Sequence, residues 1–207
     1  MPLRWKVCGI TRSEDARAAV AAGADAIGFV FYPPSPRAVD PAVASEIAAE
    51  LPREIWRFGV FVDRPVAEIN AIVREAGLDF IQLAGDESPT IVPELDRHAF
   101  KTLRLQPEWD ERRVQDLADR YPECTLLVDA AGGYGGTGEA ADWDAAAGLA
   151  RWHRLVLAGG LTAESVADAV RKVKPWAVDV ASGVESRPGI KDHDKLRAFA
   201  RALEPFR

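Results

Sequence analysis

The chain has 207 residues, 48% hydrophobic and 28% charged, with a formal net charge of −6. That length buries a sizeable core without a disulfide or metal staple, and it fits one domain over residues 1–207. The acidic balance disfavours nucleic acid and anionic membranes as main partners, so an anionic ligand would need a locally positive site.

The segment Leu3–Val7 reads as a first strand. Thr11 and Glu14 have the spacing of a capping box, which predicts a helix through Ala22, stopped by Gly23. Ala26–Phe31 is apolar apart from Gly28, the pattern of a strand covered on both faces. Asp40-Pro41 is an N-cap followed by proline at the first helical position, and that helix ends near Leu51-Pro52.

Further strands are expected at Trp56–Val62, Phe80–Leu83, Phe100–Leu105, Thr125–Val128, Leu155–Ala158 and Ala177–Val180. The helices between them are expected at Pro65–Ala76, Thr90–Arg97, Glu108–Arg120, Trp143–Ala150 and Thr162–Val173. Asp192–Leu203 is the last helix. Asp63 and Arg64 are placed to cap or enter the third helix. Eight strands, each followed by a helix, imply a parallel sheet with helices outside. An open doubly wound sheet usually carries its glycine-rich loop after the first strand. Here the glycine-rich segments follow strands six, seven and eight, which favours a closed eight-stranded (β/α)8 barrel (the TIM-barrel class) with phosphate near the last strands.

Active-site groups of such a barrel sit at the C-terminal ends of strands. Gly159-Gly160 and Ser182-Gly183 follow the last two strands. Glycine lets backbone N–H groups approach an anion closely, so together they form a plausible phosphate cradle. Cys8 ends strand one on the same face as Lys6, whose ammonium would favour the thiolate. On position alone an inert buried thiol is the plainer expectation. Cys124 begins a strand at the opposite barrel end and reads as structural. Asp129 ends strand six; burial would raise its pKa and suit it to general acid work, while a backbone-capping role is as plausible. Asp179 ends strand eight and could orient a substrate hydroxyl. Arg37 lies in a proline-stiffened loop after strand two, where a solvated surface arginine is the plainer expectation. The three histidines stand far apart, so no metal site is expected. Two free cysteines, with no signal-like core and no apolar run of transmembrane length, point to the cytoplasm.

Several motifs, in order along the whole chain, resemble the phosphoribosylanthranilate isomerase family. They are Lys6-Val-Cys-Gly-Ile-Thr-Arg12, Gly28-Phe-Val-Phe-Tyr-Pro-Pro-Ser-Pro-Arg37, Gly59-Val-Phe-Val-Asp63, Gly135-Gly-Thr-Gly138 with Asp142-Trp143, Leu157-Ala-Gly-Gly-Leu161, and Ser182-Gly-Val-Glu185 with Pro188-Gly-Ile-Lys-Asp192. The resemblance implies an isomerase of tryptophan biosynthesis that needs no cofactor and acts on a small phosphorylated substrate. N-(5-phosphoribosyl)anthranilate would become 1-(2-carboxyphenylamino)-1-deoxyribulose 5-phosphate by an Amadori rearrangement.

Carried over residue by residue, Cys8 would be the general base and Asp129 the general acid. Arg37 would bind the anthranilate carboxylate and Asp179 the sugar. Gly138, Gly159, Gly160, Ser182 and Gly183 would contact phosphate. The chemistry asks for a protonated Asp129 and a thiolate at Cys8, both opposite to the free side chains at neutral pH. The family's strand-four motif commonly reads Gln-Leu-His-Gly, whereas this chain has Gln82-Leu83-Ala84-Gly85. The competing readings are another phosphosugar barrel enzyme and a non-catalytic phosphate-ligand barrel. The first is opposed by Cys8, which stands where a histidine-pathway isomerase carries aspartate. The second is opposed by retention of both Cys8 and Asp129.

Overall fold

The computed structural model describes residues 2–106, 108–130 and 141–207. Eight parallel strands close into a barrel in chain order. They are β1 (Arg4–Cys8), β2 (Ala26–Val30), β3 (Trp56–Phe61), β4 (Phe80–Leu83), β5 (Ala99–Arg104), β6 (Thr125–Asp129), β7 (Leu155–Leu157) and β8 (Ala177–Val180). Closure is made by β8 on β1, with Lys6 opposite Asp179. Among the described residues six α-helices connect barrel strands, α1 (Ser13–Ala21), α2 (Pro41–Ala49), α3 (Val66–Glu75), α4 (Glu111–Ala118), α5 (Trp143–Ala150) and α6 (Val166–Val173), and a seventh, α7 (His193–Leu203), follows β8. A short hairpin of β9 (Glu185–Arg187) and β10 (Ile190–Lys191) precedes α7. No helix among the described residues is long and apolar enough to cross a membrane.

The period-two alternation of strands explains the two cores. Outward residues such as Val7, Ile27, Phe29, Ile81, Leu103, Val128 and Val178 pack beneath the helices. Inward residues stack in layers, as barrel interiors do. At the bottom Ala26, Phe58, Phe100, Leu127, Val156 and Ala177 form one cluster. Phe58 lies 4.9 Å from both Phe80 and Phe100, edge-on to the latter, and Trp56 stacks on Trp176 below them. At the top Cys8, Val30, Val60 and Ala84 form another cluster. The apolar plug closes the lower end, so polar groups can collect only above it.

Local signals account for most boundaries. Asp40 caps α2 by accepting from the Ala42 N–H, with Pro41 in the first turn. Asp192 caps α7 by accepting from Asp194 and Lys195 N–H groups. Gly23 ends the first unit with φ of +90°, a conformation that suits glycine.

Four expectations are corrected. The Thr11–Glu14 pair makes no capping box: α1 has Arg12 at its N-cap without a side-chain cap, and the Thr11 hydroxyl donates to the Gly189 carbonyl at 2.6 Å. The helix expected at Thr90–Arg97 is a 3₁₀ segment, Pro89–Glu94. Pro93 lies inside it and lacks the N–H that an α-helix would use. The helix expected from Thr162 runs over Val166–Val173, after a turn in which the Ser165 hydroxyl accepts from the Thr162 N–H at 3.0 Å. Asp63 does not cap α3, whose N-cap is Pro65. Instead Asp63 adopts φ of +47° and accepts from the Asp86 N–H at 2.6 Å, tying the end of β3 to the loop after β4. Gly85 makes room for this, since a Cβ there would meet the Asp63 carboxylate at 2.3 Å.

Candidate active site

The inward residue at the upper end of each strand faces one pocket. Cys8, Asp129 and Asp179 line it from β1, β6 and β8, and Arg37 reaches it from the loop after β2. Gly159, Gly160 and Ser182 line it from the loops after β7 and β8. Gly183 holds those two loops together: a Cβ on it would lie 1.9 Å from the Leu161 carbonyl oxygen. Gly159 and Gly160 have φ of +82° and +60°, so their amides take directions that other residues rarely allow. Gly138 lies outside the described residues.

A polar cluster sits directly beneath Cys8. The Lys6 Nζ donates to Asp179 Oδ2 at 2.8 Å, and both side chains are buried. Gly28 on the neighbouring strand provides the space, because a Cβ there would stand 3.0 Å from the Cys8 Sγ and 3.2 Å from the Lys6 Nζ. Asp179 Oδ1 is buried without a hydrogen-bond partner among the described residues. Burial alone would push the Lys6 ammonium down, but Asp179 and Cys8 more than offset it and hold it above its ordinary value.

The two expected proton carriers behave differently. Burial pushes the Asp129 carboxyl up, and the nearby Asp179 adds to the effect. The Ala130 N–H, which donates to Asp129 Oδ1 at 2.8 Å, and the cations Arg104 and Lys6 oppose it without cancelling it. Asp129 is thereby shifted toward the protonated acid. Burial also pushes the Cys8 thiol up. Lys6 and Lys191 pull it down and Asp179 pushes it further up, and the balance leaves it above its ordinary value. The positive neighbours expected for a thiolate are therefore present, yet in the free protein they do not outweigh burial.

Arg37 is not a solvated surface residue: it is 7% exposed. Its Nε and Nη2 donate to the Glu185 carboxylate, at 3.0 Å and 2.7 Å. Lys191 completes the group, its Nζ donating to Glu185 Oε1 at 2.8 Å and to the Cys8 carbonyl at 2.6 Å. Burial would raise the Glu185 carboxyl, but Arg37 and Lys191 hold it below the usual range. The β9–β10 hairpin thus fixes both the arginine of the β2 loop and the backbone of Cys8. Sequence reasoning did not find this pairing, because 148 residues separate Arg37 from Glu185.

Two further groups were not singled out from sequence. Lys101 and Glu87 form a buried ion pair at 2.7 Å, with the Lys101 Nζ also donating to the Gly85 carbonyl. It braces the loop after β4 from outside the barrel. Arg104 ends β5 directly opposite Asp129 and lines the pocket. The signal for it was available: a cation at a strand's C-terminal end, in step with the inward Phe100 and Thr102. Among the described residues no group of three His, Cys, Asp or Glu side chains is placed to hold a metal ion.

The model of the family described as N-(5'phosphoribosyl)anthranilate (PRA) isomerase matches residues 5–202. The chain belongs to this isomerase family. It is 46% identical to the N-(5'-phosphoribosyl)anthranilate isomerase of Pelobacter propionicus, over 99% of this chain and 97% of that protein. It is 47% identical to the same enzyme of Pseudomonas putida, over 98% of each. Among solved structures, the phosphoribosyl anthranilate isomerase of Thermotoga maritima superposes with a TM-score of 0.90 at 38% identity, covering 98% of this chain and 99% of that one. A further structure of the family, in complex with reduced 1-(o-carboxyphenylamino)-1-deoxyribulose 5-phosphate, matches with a TM-score of 0.87 at 36% identity, over 98% of this chain and 99% of that one. In this isomerase family, the barrel mouth described above is where the chemistry is expected.

Proposed function

We propose that this chain converts N-(5'-phosphoribosyl)anthranilate to 1-(2-carboxyphenylamino)-1-deoxyribulose 5-phosphate in tryptophan biosynthesis, with Asp129 as general acid and Cys8 as general base. The observation that carries the assignment is the raised Asp129 carboxyl in the same pocket as Cys8. Asp129 gives its proton to the furanose ring oxygen, the C1–O bond breaks, and the anilino nitrogen's lone pair forms an iminium with C1. Cys8 takes the C2 proton, and the C–H electrons flow toward the iminium to give an enolamine. Tautomerisation of the enolamine yields the ketone. The iminium is the electron sink, so no cofactor is called for.

Burial shifts Cys8 toward the thiol in the free enzyme, away from the thiolate that acts as base. Three local features favour it once substrate arrives. Lys6 and Lys191 pull the thiol down. The unpartnered Asp179 Oδ1 is suited to accept a hydrogen bond from a sugar hydroxyl, which disperses the charge that opposes the thiolate. The iminium itself adds positive charge beside the sulfur. Each well-placed acid or base contributes roughly 10²–10⁴-fold.

The loops carrying Gly159, Gly160, Ser182 and Gly183 are assigned to the phosphate, and Gly138 keeps the phosphate role that the family resemblance implies. Arg37 is assigned to the carboxylate, held ready by Glu185. We place the reaction in the cytoplasm, in keeping with the free thiol it uses. The test is to add the protein to freshly generated N-(5'-phosphoribosyl)anthranilate and follow loss of its fluorescence. Turnover is expected. Tight binding of a product analogue without turnover would favour the non-catalytic reading.

A further inference from the structure

We propose that Arg104 is a second anchor for the carboxylate on the substrate's aromatic ring, at the place where this chain carries Ala84 instead of histidine. The inference rests on the proposed substrate. Arg104 lines the pocket from the inward face of β5, and its Nη2 donates to the Ala84 carbonyl. The guanidinium therefore reaches back over the end of β4. Ala84 offers only a methyl group there, whereas a larger side chain at that inward position would compete for the same space.

Charge and shape favour a carboxylate at this point. Arg37 gives its Nε and Nη2 to Glu185, which leaves Nη1 as its nitrogen for a ligand carboxylate. Arg104 adds a planar cation suited to a carboxylate. Val30, Val60, Val62 and Ala84 make the adjoining pocket wall apolar, as an aromatic ring needs. In the closed strand order, β4 and β5 lie across the barrel from β8 and β1. A ligand whose phosphate sits at the Gly160 and Ser182 loops would thus extend its other end toward Arg104. Arg104 also stands opposite Asp129, so it could instead act only through that acid; the experiment separates the two roles.

The experiment compares calorimetric Kd values for two ligands. One is reduced 1-(o-carboxyphenylamino)-1-deoxyribulose 5-phosphate, and the other is the same compound without its carboxylate. Arg104→Ala should weaken the first by about 10–100-fold, the loss expected for one charge-assisted hydrogen bond, and the second by no more than about twofold. Arg104→Gln keeps a donor for the Ala84 carbonyl without the charge. It should show the same selective loss, and it carries the comparison if the alanine variant does not fold. Equal weakening of both ligands, or of neither, overturns the proposal. Wild-type turnover is measured separately: carboxylate-selective binding without turnover would sink the proposed reaction and leave the anchor standing, and turnover without that selectivity would do the reverse.

Discussion

Replacing Glu185 with glutamine tests how the β9–β10 hairpin builds the site. Glu185 accepts from Arg37 at 3.0 and 2.7 Å, from Lys191 at 2.8 Å and from the Gly189 N–H at 3.3 Å. The side chains are 9%, 4% and 0% exposed for Arg37, Glu185 and Lys191. Glutamine keeps the volume but leaves two buried cations facing each other without an anion. Breaking a buried pair from one side costs about 3–5 kcal/mol, and in a chain of this size that is a fall in Tm of about 6–20 °C. The low end is expected, because burial already pulls the Lys191 ammonium down and it can shed its proton once Glu185 is gone.

Differential scanning calorimetry at pH 7 and pH 3.5 gives the readout. The Glu185 carboxyl is held low in the folded state, so its contribution is present above the unfolded value of about 4.3 and is lost as pH falls through the folded value. The gap between wild type and Glu185→Gln should therefore narrow at the lower pH. Arg37 should also lose its fixed orientation, raising KM. A variant within 1 kcal/mol of wild type at pH 7, with unchanged KM, would refute the reasoning.

Other outcomes follow from the same geometry. Asp129→Asn should lower kcat/KM by roughly 10²–10⁴-fold while raising the Tm at neutral pH. The raised Asp129 carboxyl costs stability once pH exceeds the unfolded value near 3.9, and asparagine removes that cost while still accepting from Ala130; a lower Tm would contradict this sign. Gly28→Ala places a methyl 3.0 Å from the Cys8 Sγ and 3.2 Å from the Lys6 Nζ. It should lower kcat about tenfold with little change in KM, since a small displacement of a reacting group is costly. Buried Asp15 accepts from Arg12, His193 and the Lys191 N–H, which together outweigh burial and hold it low. Acid titration of Asp15→Asn should lack part of the stability loss that wild type shows below about pH 4.

What the sequence conveyed was periodicity and strand ends. Lys6 and Cys8 share strand parity, and both face inward beside Gly28. Asp129 and Asp179 end apolar strands, and both reach the pocket. The errors arose where a local pattern had a stronger distant partner. Thr11 has capping-box spacing, but its hydroxyl goes to Gly189. Arg37 looked solvated because Glu185 lies 148 residues away. The balance at Cys8 was not legible for a different reason: parity shows that Lys6 is near, but not how deeply both are buried. Arg104 could have been read from its strand end and was not.

The assignment of acid and base is tested most directly by kcat/KM on N-(5'-phosphoribosyl)anthranilate for wild type, Cys8→Ala, Asp129→Asn and the double variant. If the two act on one rearrangement, each single change lowers kcat/KM by at least about 10²-fold, and the double variant falls well short of the product of the two losses. Either single variant within tenfold of wild type would contradict the assignment.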